Sequence, residues 1–224
     1  MIEIFLSGEF RTGTKCAENW KKIPNANITL CVDSASVDMA RSAYPNANVV
    51  GLDWKFYPTN NNTNKIYYRW QYYAATMRFS DDQLVLVSRP DLYITDISPL
   101  IQQIQLSDDK VMINYDDQVQ SANDIMFVVP FGIFKRIVNE YSEFSDFTSA
   151  FKSHEYLYYI AKKFDAVLAP YHGRLYRPNI PDNVEINIKT LMYYDHLYDR
   201  RRRLLLKYHS LPNATQLLGT VSPF

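Results

Sequence analysis

The chain has 224 residues, of which 47% are hydrophobic, and its 24 Lys+Arg balance 24 Asp+Glu. A chain of that length and apolar content builds a packed core, so disorder is excluded, and the neutral balance excludes a global pull toward nucleic acid. Its two cysteines, Cys16 and Cys31, are too few for a disulfide-built scaffold and lack metal-ligand spacing, which predicts a reducing compartment. No apolar run is long enough to span a bilayer. The opening Met1-Ile2-Glu3-Ile4-Phe5-Leu6 has no basic segment of a signal peptide, so a cytoplasmic location is expected. The abundance of Tyr (18) and Phe (12), with frequent Asn, leans toward an AT-rich source such as a virus, a phage or some bacteria.

The first half alternates between strand and helix patterns. Residues 2–6 predict a strand closed by Ser7-Gly8, and residues 14–22 a helix containing Trp20. Residues 28–32 predict a second strand, after which Asp33-Ser34 can cap a helix over 36–43. A third strand is expected over 48–52, then an Asn-rich loop over 58–64. A helix over 65–79 follows, with Ile66, Trp70, Tyr73 and Met77 as its core stripe. Leu84-Val85-Leu86-Val87 reads as a strand buried on both sides, and Pro90, which has no N–H, ends it. The second half is less regular. Strands are expected over 111–114, 125–129 and 166–169, helices over 131–141 and 153–164, a loop over 171–185 and a last helix over 188–208. The order predicts an α/β fold: a mixed, mainly parallel Rossmann-like sheet with helices on both faces, in a single domain over 1–224. Residues 1–114 would form a nucleotide-facing half and 115–224 an acceptor-facing half with the C-terminal helix.

Open α/β sheets place ligands at the C-terminal ends of their strands, and several polar residues are expected there. Asp91 follows the buried strand, where a carboxylate can hold a divalent metal and, through it, a diphosphate. Ser7, Gly8 and Arg11 follow the first strand; the glycine allows close backbone approach and the arginine can fork onto a phosphate. Asp33 can meet a nucleobase or ribose, or simply cap the next helix. On the helix over 65–79, Arg69 with Tyr67, Tyr68 and Tyr72 lies outside the core stripe, on a face that is either covered or used for stacking. Asp124, placed at a strand start, can act as a general base for an acceptor hydroxyl, with Glu155 as second choice, although Glu155 also suits a helix N-terminus. His172, Arg174 and Arg177 share one loop and suit a diphosphate. Arg200, Arg201, Arg202 and Arg203 point almost all round the last helix, as a solvated face or as contacts to nucleic-acid phosphates. There is no GxGxxG or Walker sequence.

Four segments in order carry a resemblance: Ser7-Gly8-x-x-Arg11-Thr12, Arg89-x-Asp91, Asp124-Ile125-x-Phe127 followed by Gly132, and a helix opening at Glu155. Over residues 1–178 the chain resembles small glycosyltransferase-like proteins of the GT-A fold from large viruses, phages and bacterial surface-polysaccharide loci, including the WavE-like lipopolysaccharide-synthesis group. In that resemblance Arg89-x-Asp91 stands where the family carries its DxD metal motif. This implies a Mn²⁺ or Mg²⁺ at Asp91, or Arg89 itself neutralising the diphosphate. It places Arg11 and Asp33 at a nucleoside-diphosphate sugar such as a UDP-sugar, Asp91 as the metal or sugar ligand, and Asp124 and Glu155 on the acceptor side; Ser7, Gly8, Arg69, Arg89, His172, Arg174 and Arg177 join the expected donor site from the reading of the residues themselves. The expected activity is sugar transfer to a hydroxyl of a surface glycan or lipopolysaccharide. Two alternatives stand beside it: a phage enzyme that glycosylates 5-hydroxymethylated cytosine in DNA, and a non-catalytic relic that binds nucleotide sugars.

Overall fold

The computed structural model describes residues 2–10, 13–56, 62–106, 111–117, 120–144, 152–169 and 172–175. Four parallel strands come first: β1 (Ile2–Ser7), β2 (Ala26–Asp33), β3 (Asn48–Leu52) and β4 (Leu84–Ser88). They are joined by α1 (Gly13–Lys21), α2 (Val37–Ala43) and α3 (Asn62–Thr76). Then come β5 (Leu92–Asp96), α4 (Ser98–Leu106), β6 (Met112–Asp116), β7 (Ser121–Pro130), α5 (Phe131–Phe144), α6 (Lys152–Lys163) and β8 (His172–Leu175). The main sheet has the order β3-β2-β1-β4-β7-β6, with β7 antiparallel to both of its neighbours. β5 and β8 form a separate antiparallel pair.

Alternation along the strands divides the interior into two cores, because successive side chains point to opposite faces. Ile4, Leu6, Leu30, Val32 and Leu86 face α1, α2 and α4 together with Trp20, Ala40 and Leu100. Phe5, Cys31, Val85, Val87 and Phe127 face α3, α5 and α6 with Tyr73, Phe134 and Leu157. The second core is aromatic: Phe5 stacks on Tyr73 at 3.9 Å between centroids, and Phe134 meets Tyr73 edge-on at 5.7 Å. The expected architecture, a mixed and mainly parallel sheet covered on both faces, is the one found. Among the described residues no helix is long and apolar enough to cross a membrane.

Several local expectations are corrected. Between Asp91 and residue 111, where the sequence reading assigned no element, the chain forms β5 and α4. Trp20 Nε1–H donates to the Leu92 carbonyl at 3.1 Å, and the Asn19 amide donates to the Ile94 carbonyl, pinning β5 on α1. Residues 172–175, expected in a loop, pair with β5 as β8; that pairing is long-range and leaves no local signal. β7 begins four residues early because Tyr115 and Asp116 pair with Ala122 and Ser121, which places Asp124 within a strand rather than at its start. At 166–169 only Val167 bridges to Met112. Asp33 makes no capping hydrogen bond: Ser34–Ser36 is a 3-10 turn and α2 starts at Val37. On α3 the buried residues are Tyr67, Arg69, Trp70 and Tyr73, while Ile66 and Met77 are half-buried, so the stripe is rotated and Arg69 lies inside it. The expected helix over 188–208 lies outside the described residues. Gly132, at the start of α5, fits against the turn before β4; a Cβ there would come 2.9 Å from that of Asp81.

Candidate active site

β1, β2, β3 and β4 run parallel, so their C-terminal ends share one edge of the sheet. β7 is antiparallel to β4, which brings its first residues to the same edge. Three polar clusters stand there.

The first closes β2. Asp33 Oδ1 accepts from Trp54 Nε1–H at 2.6 Å and from Arg69 Nη2–H at 2.5 Å. Trp54 lies in the short turn after β3, and Arg69 reaches across from α3 with its guanidinium carbon 4.8 Å from the Trp54 ring centre. Lys65, one turn earlier on α3, lies 5.4 Å from the same ring, so two cations use one indole face system. The arginine side chain is 2% exposed and the aspartate 28%. Burial pushes the Arg69 pKa down, while Asp33 and Cys31 push it back up. Both donors meet Oδ1 of this partly exposed carboxylate.

The second cluster closes β4. Arg89-Pro90-Asp91-Leu92 is a β-turn in which Leu92 N–H donates to the Arg89 carbonyl at 3.3 Å. Proline stands at the second position, where its fixed φ belongs. Across this turn Arg89 Nε and Nη2 donate to Asp91 Oδ1 and Oδ2 at 2.8 and 2.7 Å, a fork on both carboxylate oxygens. Here the exposures are reversed: 1% for the Asp91 side chain and 20% for that of Arg89. Gly8, with φ +157°, lets β1 end against this turn, since a Cβ would come 3.2 Å from Pro90 Cδ. Behind it lies Cys16 of α1, whose thiol is pushed up to about 12, first by burial and then by the Asp91 charge.

The third cluster joins β7 to the first turn of α6. His154 Nδ1 lies 2.7 Å from the Ala122 carbonyl oxygen. A carbonyl only accepts, so Nδ1 carries the proton, and Nε2 faces Asp124 Oδ2 at 3.9 Å. Asp124 is 11% and His154 25% exposed. Ser88 Oγ–H donates to the Ile125 carbonyl at 3.0 Å and ties this strand to the end of β4.

The structure therefore brings Gly8, Asp33, Arg69, Arg89, Asp91 and Asp124 to one edge. Ser7 is there too, buried, with its Oγ lacking a hydrogen-bond partner. Glu155 is exposed in the first turn of α6, one residue and about 100° round from His154. His172 and Arg174 are in β8, opposite Asp96 and Tyr93. Arg11, Arg177, Arg200, Arg201, Arg202 and Arg203 lie outside the described residues. Two residues of the site escaped the sequence reading, Trp54 and His154. A lone tryptophan directly after a strand end, and a histidine opening a helix, were the available signals.

A divalent cation does not fit the second cluster. Such an ion needs carboxylate oxygens directly on it, and both oxygens of Asp91 are held by Arg89 inside the protein. Among the described residues no three His, Cys, Asp or Glu side chains gather as a metal-binding group.

No known family profile and no curated protein matches the chain. Solved structures do. 4-Diphosphocytidyl-2C-methyl-D-erythritol synthase from Anaerococcus prevotii aligns at TM-score 0.53 and 11% identity, over 88% of this chain and 96% of that one. A second structure of a synthase of that name aligns at 0.51 and 9%, over 82% and 95%. The galactosyltransferase LgtC, solved in complex with donor and acceptor sugar analogs, aligns at 0.47 and 12%, over 75% and 72%. The first two likenesses establish a fold shared with those synthases, and at these identities they establish the fold alone.

Proposed function

We propose that the chain is a glycosyltransferase that moves a sugar from a nucleoside-diphosphate donor, such as a UDP-sugar, to a hydroxyl of a glycan acceptor. The observation that supports this reading most is the opposite orientation of the two Arg–Asp pairs on one edge. At the end of β2 a carboxylate faces outward and accepts an N–H or O–H, as a base or ribose offers. At the end of β4 a guanidinium faces outward and meets anionic oxygens. β2 and β4 are separated by β1 alone, so the two mouths lie about 10 Å apart at the usual strand spacing. A nucleoside diphosphate laid across the edge would put its base on Asp33 and its phosphates on Arg89.

In the transfer step the acceptor oxygen forms a bond to the anomeric carbon of the sugar. The carbon–oxygen bond to the diphosphate breaks, with its electron pair leaving on the phosphate oxygen. The acceptor's proton goes to the Asp124–His154 pair. His154, with Nδ1–H fixed on a backbone carbonyl, turns Nε2 toward Asp124 beside it. Arg89 offsets the charge that develops on the leaving diphosphate.

The test is incubation with a panel of nucleotide sugars (UDP-, GDP-, CDP- and dTDP-linked), with and without glycan acceptors, reading release of the nucleoside diphosphate. Release that rises with a glycan acceptor is the expected result. Transfer only to DNA carrying hydroxymethylated cytosine would move the acceptor from glycan to nucleic acid. Nucleotide-sugar binding without turnover would leave a binding relic. Pyrophosphate release from a nucleoside triphosphate would place the broken bond one phosphate inward and overturn the reading.

A further inference from the structure

We infer that the acceptor is a neutral oligosaccharide held on Tyr115 and Tyr158, beside the Asp124–His154 pair. The inference rests on the reading of the edge as a sugar-transfer site and names the residues that seat the acceptor chain there.

The hairpin of β6 and β7 carries this surface. β4 ends with Ser88 opposite Met126, whereas β7 starts earlier, at Ser121, so the hairpin stands out beyond the ligand edge. Near its tip Tyr115 pairs with Ala122, the residue whose carbonyl takes the His154 ring. Tyr158 follows His154 by one turn of α6, which puts both side chains on the same face of that helix. Register and helix period therefore bring both tyrosines next to the pair proposed to take the acceptor's proton.

The two rings lie 6.1 Å apart between centroids and are inclined at 62°, so they form a corner rather than a flat stack. Tyr158 O–H donates to Asp117 Oδ1 at 2.8 Å, and Lys162 Nζ meets the same oxygen at 3.2 Å. Lys162 Nζ also lies 5.3 Å from the Tyr115 ring centre, which closes the circle of contacts. The rings are half-buried, while the Asp117 and Lys162 side chains are 61% and 50% exposed. Ion pairs this open to water add little to stability, so the network does little for the fold. It fixes two rings and two polar heads at the surface before a ligand arrives, and less freedom is then lost on binding. The hydrogen bonds from Tyr158 and Lys162 also hold the Asp117 carboxyl below the usual carboxylate range, which keeps it an acceptor.

These groups complement a sugar chain. A pyranose has faces of C–H groups and a rim of hydroxyls, so it suits an aromatic wall with hydrogen-bonding groups at its margin. A carboxylate has about four acceptor sites and an ammonium three donors, more than the network consumes, so sugar hydroxyls can donate to Asp117 and accept from Lys162. The one negative and one positive charge cancel, and a polyanion such as DNA finds no net attraction here. The tyrosines lie about 6 Å along α6 from His154. A ring seated on them is the neighbour of the sugar whose hydroxyl attacks, which makes the acceptor at least a disaccharide.

Calorimetric titration of the whole chain tests this with neutral oligosaccharides from disaccharide to tetrasaccharide, their monosaccharides, and UDP, CDP and GDP. At least one oligosaccharide is expected to bind about tenfold or more tighter than its monosaccharide. Tyr115→Ala/Tyr158→Ala should weaken it by about tenfold or more and leave the best-bound nucleotide within about twofold. Tyr158→Phe, which keeps the ring and gives up the bond to Asp117, should fall between. An oligosaccharide affinity unchanged in the double variant, folded by circular dichroism, overturns the inference and leaves the transferase reading standing. If the double variant does not fold, an unchanged affinity in Tyr158→Phe overturns it in the same way. Binding of duplex DNA in place of every oligosaccharide also overturns the inference alone. Absence of oligosaccharide binding together with absence of turnover of every nucleotide sugar overturns both.

Discussion

At the end of β2 the arginine lies inside and the acid outside, with Arg69 2% and Asp33 28% exposed. At the end of β4 the order is inverted, with Asp91 1% and Arg89 20% exposed. Both pairs answer the same demand, that a buried charge be matched, yet they present opposite signs to the solvent. The difference traces to where each inner member comes from. Arg69 is long enough to reach the strand end from α3, so the strand contributes the outer acid. Asp91 is folded back under its own turn by Pro90, so the preceding residue becomes the outer cation. A ligand with a hydrogen-bond donor at one end and anionic oxygens at the other is the complement of that edge.

The largest expected effect exploits the inversion directly. Removing an outer member strands a buried charge, whereas removing an inner member leaves a group that water can reach. Arg89→Ala and Asp33→Ala should therefore each destabilise the fold by about 3–5 kcal/mol, the usual cost of an uncompensated buried charge. Asp91→Asn and Arg69→Met should cost only about 1.5–3 kcal/mol, the scale of lost charge-assisted hydrogen bonds. Urea denaturation of the four variants checks the ranking. Equal costs within each pair would mean that burial does not distinguish the two members.

Catalysis should split the pairs by step. In the proposed transfer, charge builds on the leaving diphosphate in the transition state, so the neutral double variant Arg89→Gln/Asp91→Asn should lower kcat by about 10²–10³, as loss of one preorganised electrostatic contact does. In the proposed site Asp33 would touch a part of the donor that does not react. Asp33→Asn should raise donor KM by about tenfold at nearly constant kcat, the mark of binding that is equal in ground and transition states. Asp124→Asn and His154→Gln should both lower kcat without weakening the donor. Steady-state kinetics with donor varied at saturating acceptor separates these, and a kcat defect in Asp33→Asn would move that residue into the chemical step.

Much of this edge was legible in the sequence. β1 to β4 announced themselves by apolar runs of strand length, and the strand ends located Gly8, Asp33 and Asp91. The partners were not legible, because they come from distant segments. Arg69 is 36 residues from Asp33, and His154 is 32 residues from the carbonyl that holds it. β5 could have been found: Leu92 and Ile94 are buried and Tyr93 is not, a period of two, and the Asp96 side chain accepts from Ser98 N–H just before Pro99 to start α4. β8 could not, since its four residues are defined only by their pairing with β5. Exposure was the other hidden quantity. No local pattern tells that Asp91 turns inward while Asp33 turns outward; that is decided by which neighbour's guanidinium arrives from which side.

The smallest expected effect reads the sign of each inner member through a buried thiol. Cys16 and Cys31 lie in different cores, and burial pushes each thiol from 9.0 up to about 12. Asp91 adds to the rise at Cys16, whereas Arg69 opposes it at Cys31. Each folded thiol keeps a proton that the unfolded chain has lost, so the stability they contribute is complete below pH 9.0 and declines as pH climbs toward about 12. The slope approaches about 1.4 kcal/mol per pH unit for each thiol. In a Cys31→Ala background, Asp91→Asn should start native-state alkylation of Cys16 at lower pH. In a Cys16→Ala background, Arg69→Met should delay alkylation of Cys31 to higher pH. Opposite displacements are what inverted pairs require, and displacements of the same sign would mean that the two thiols sense burial alone.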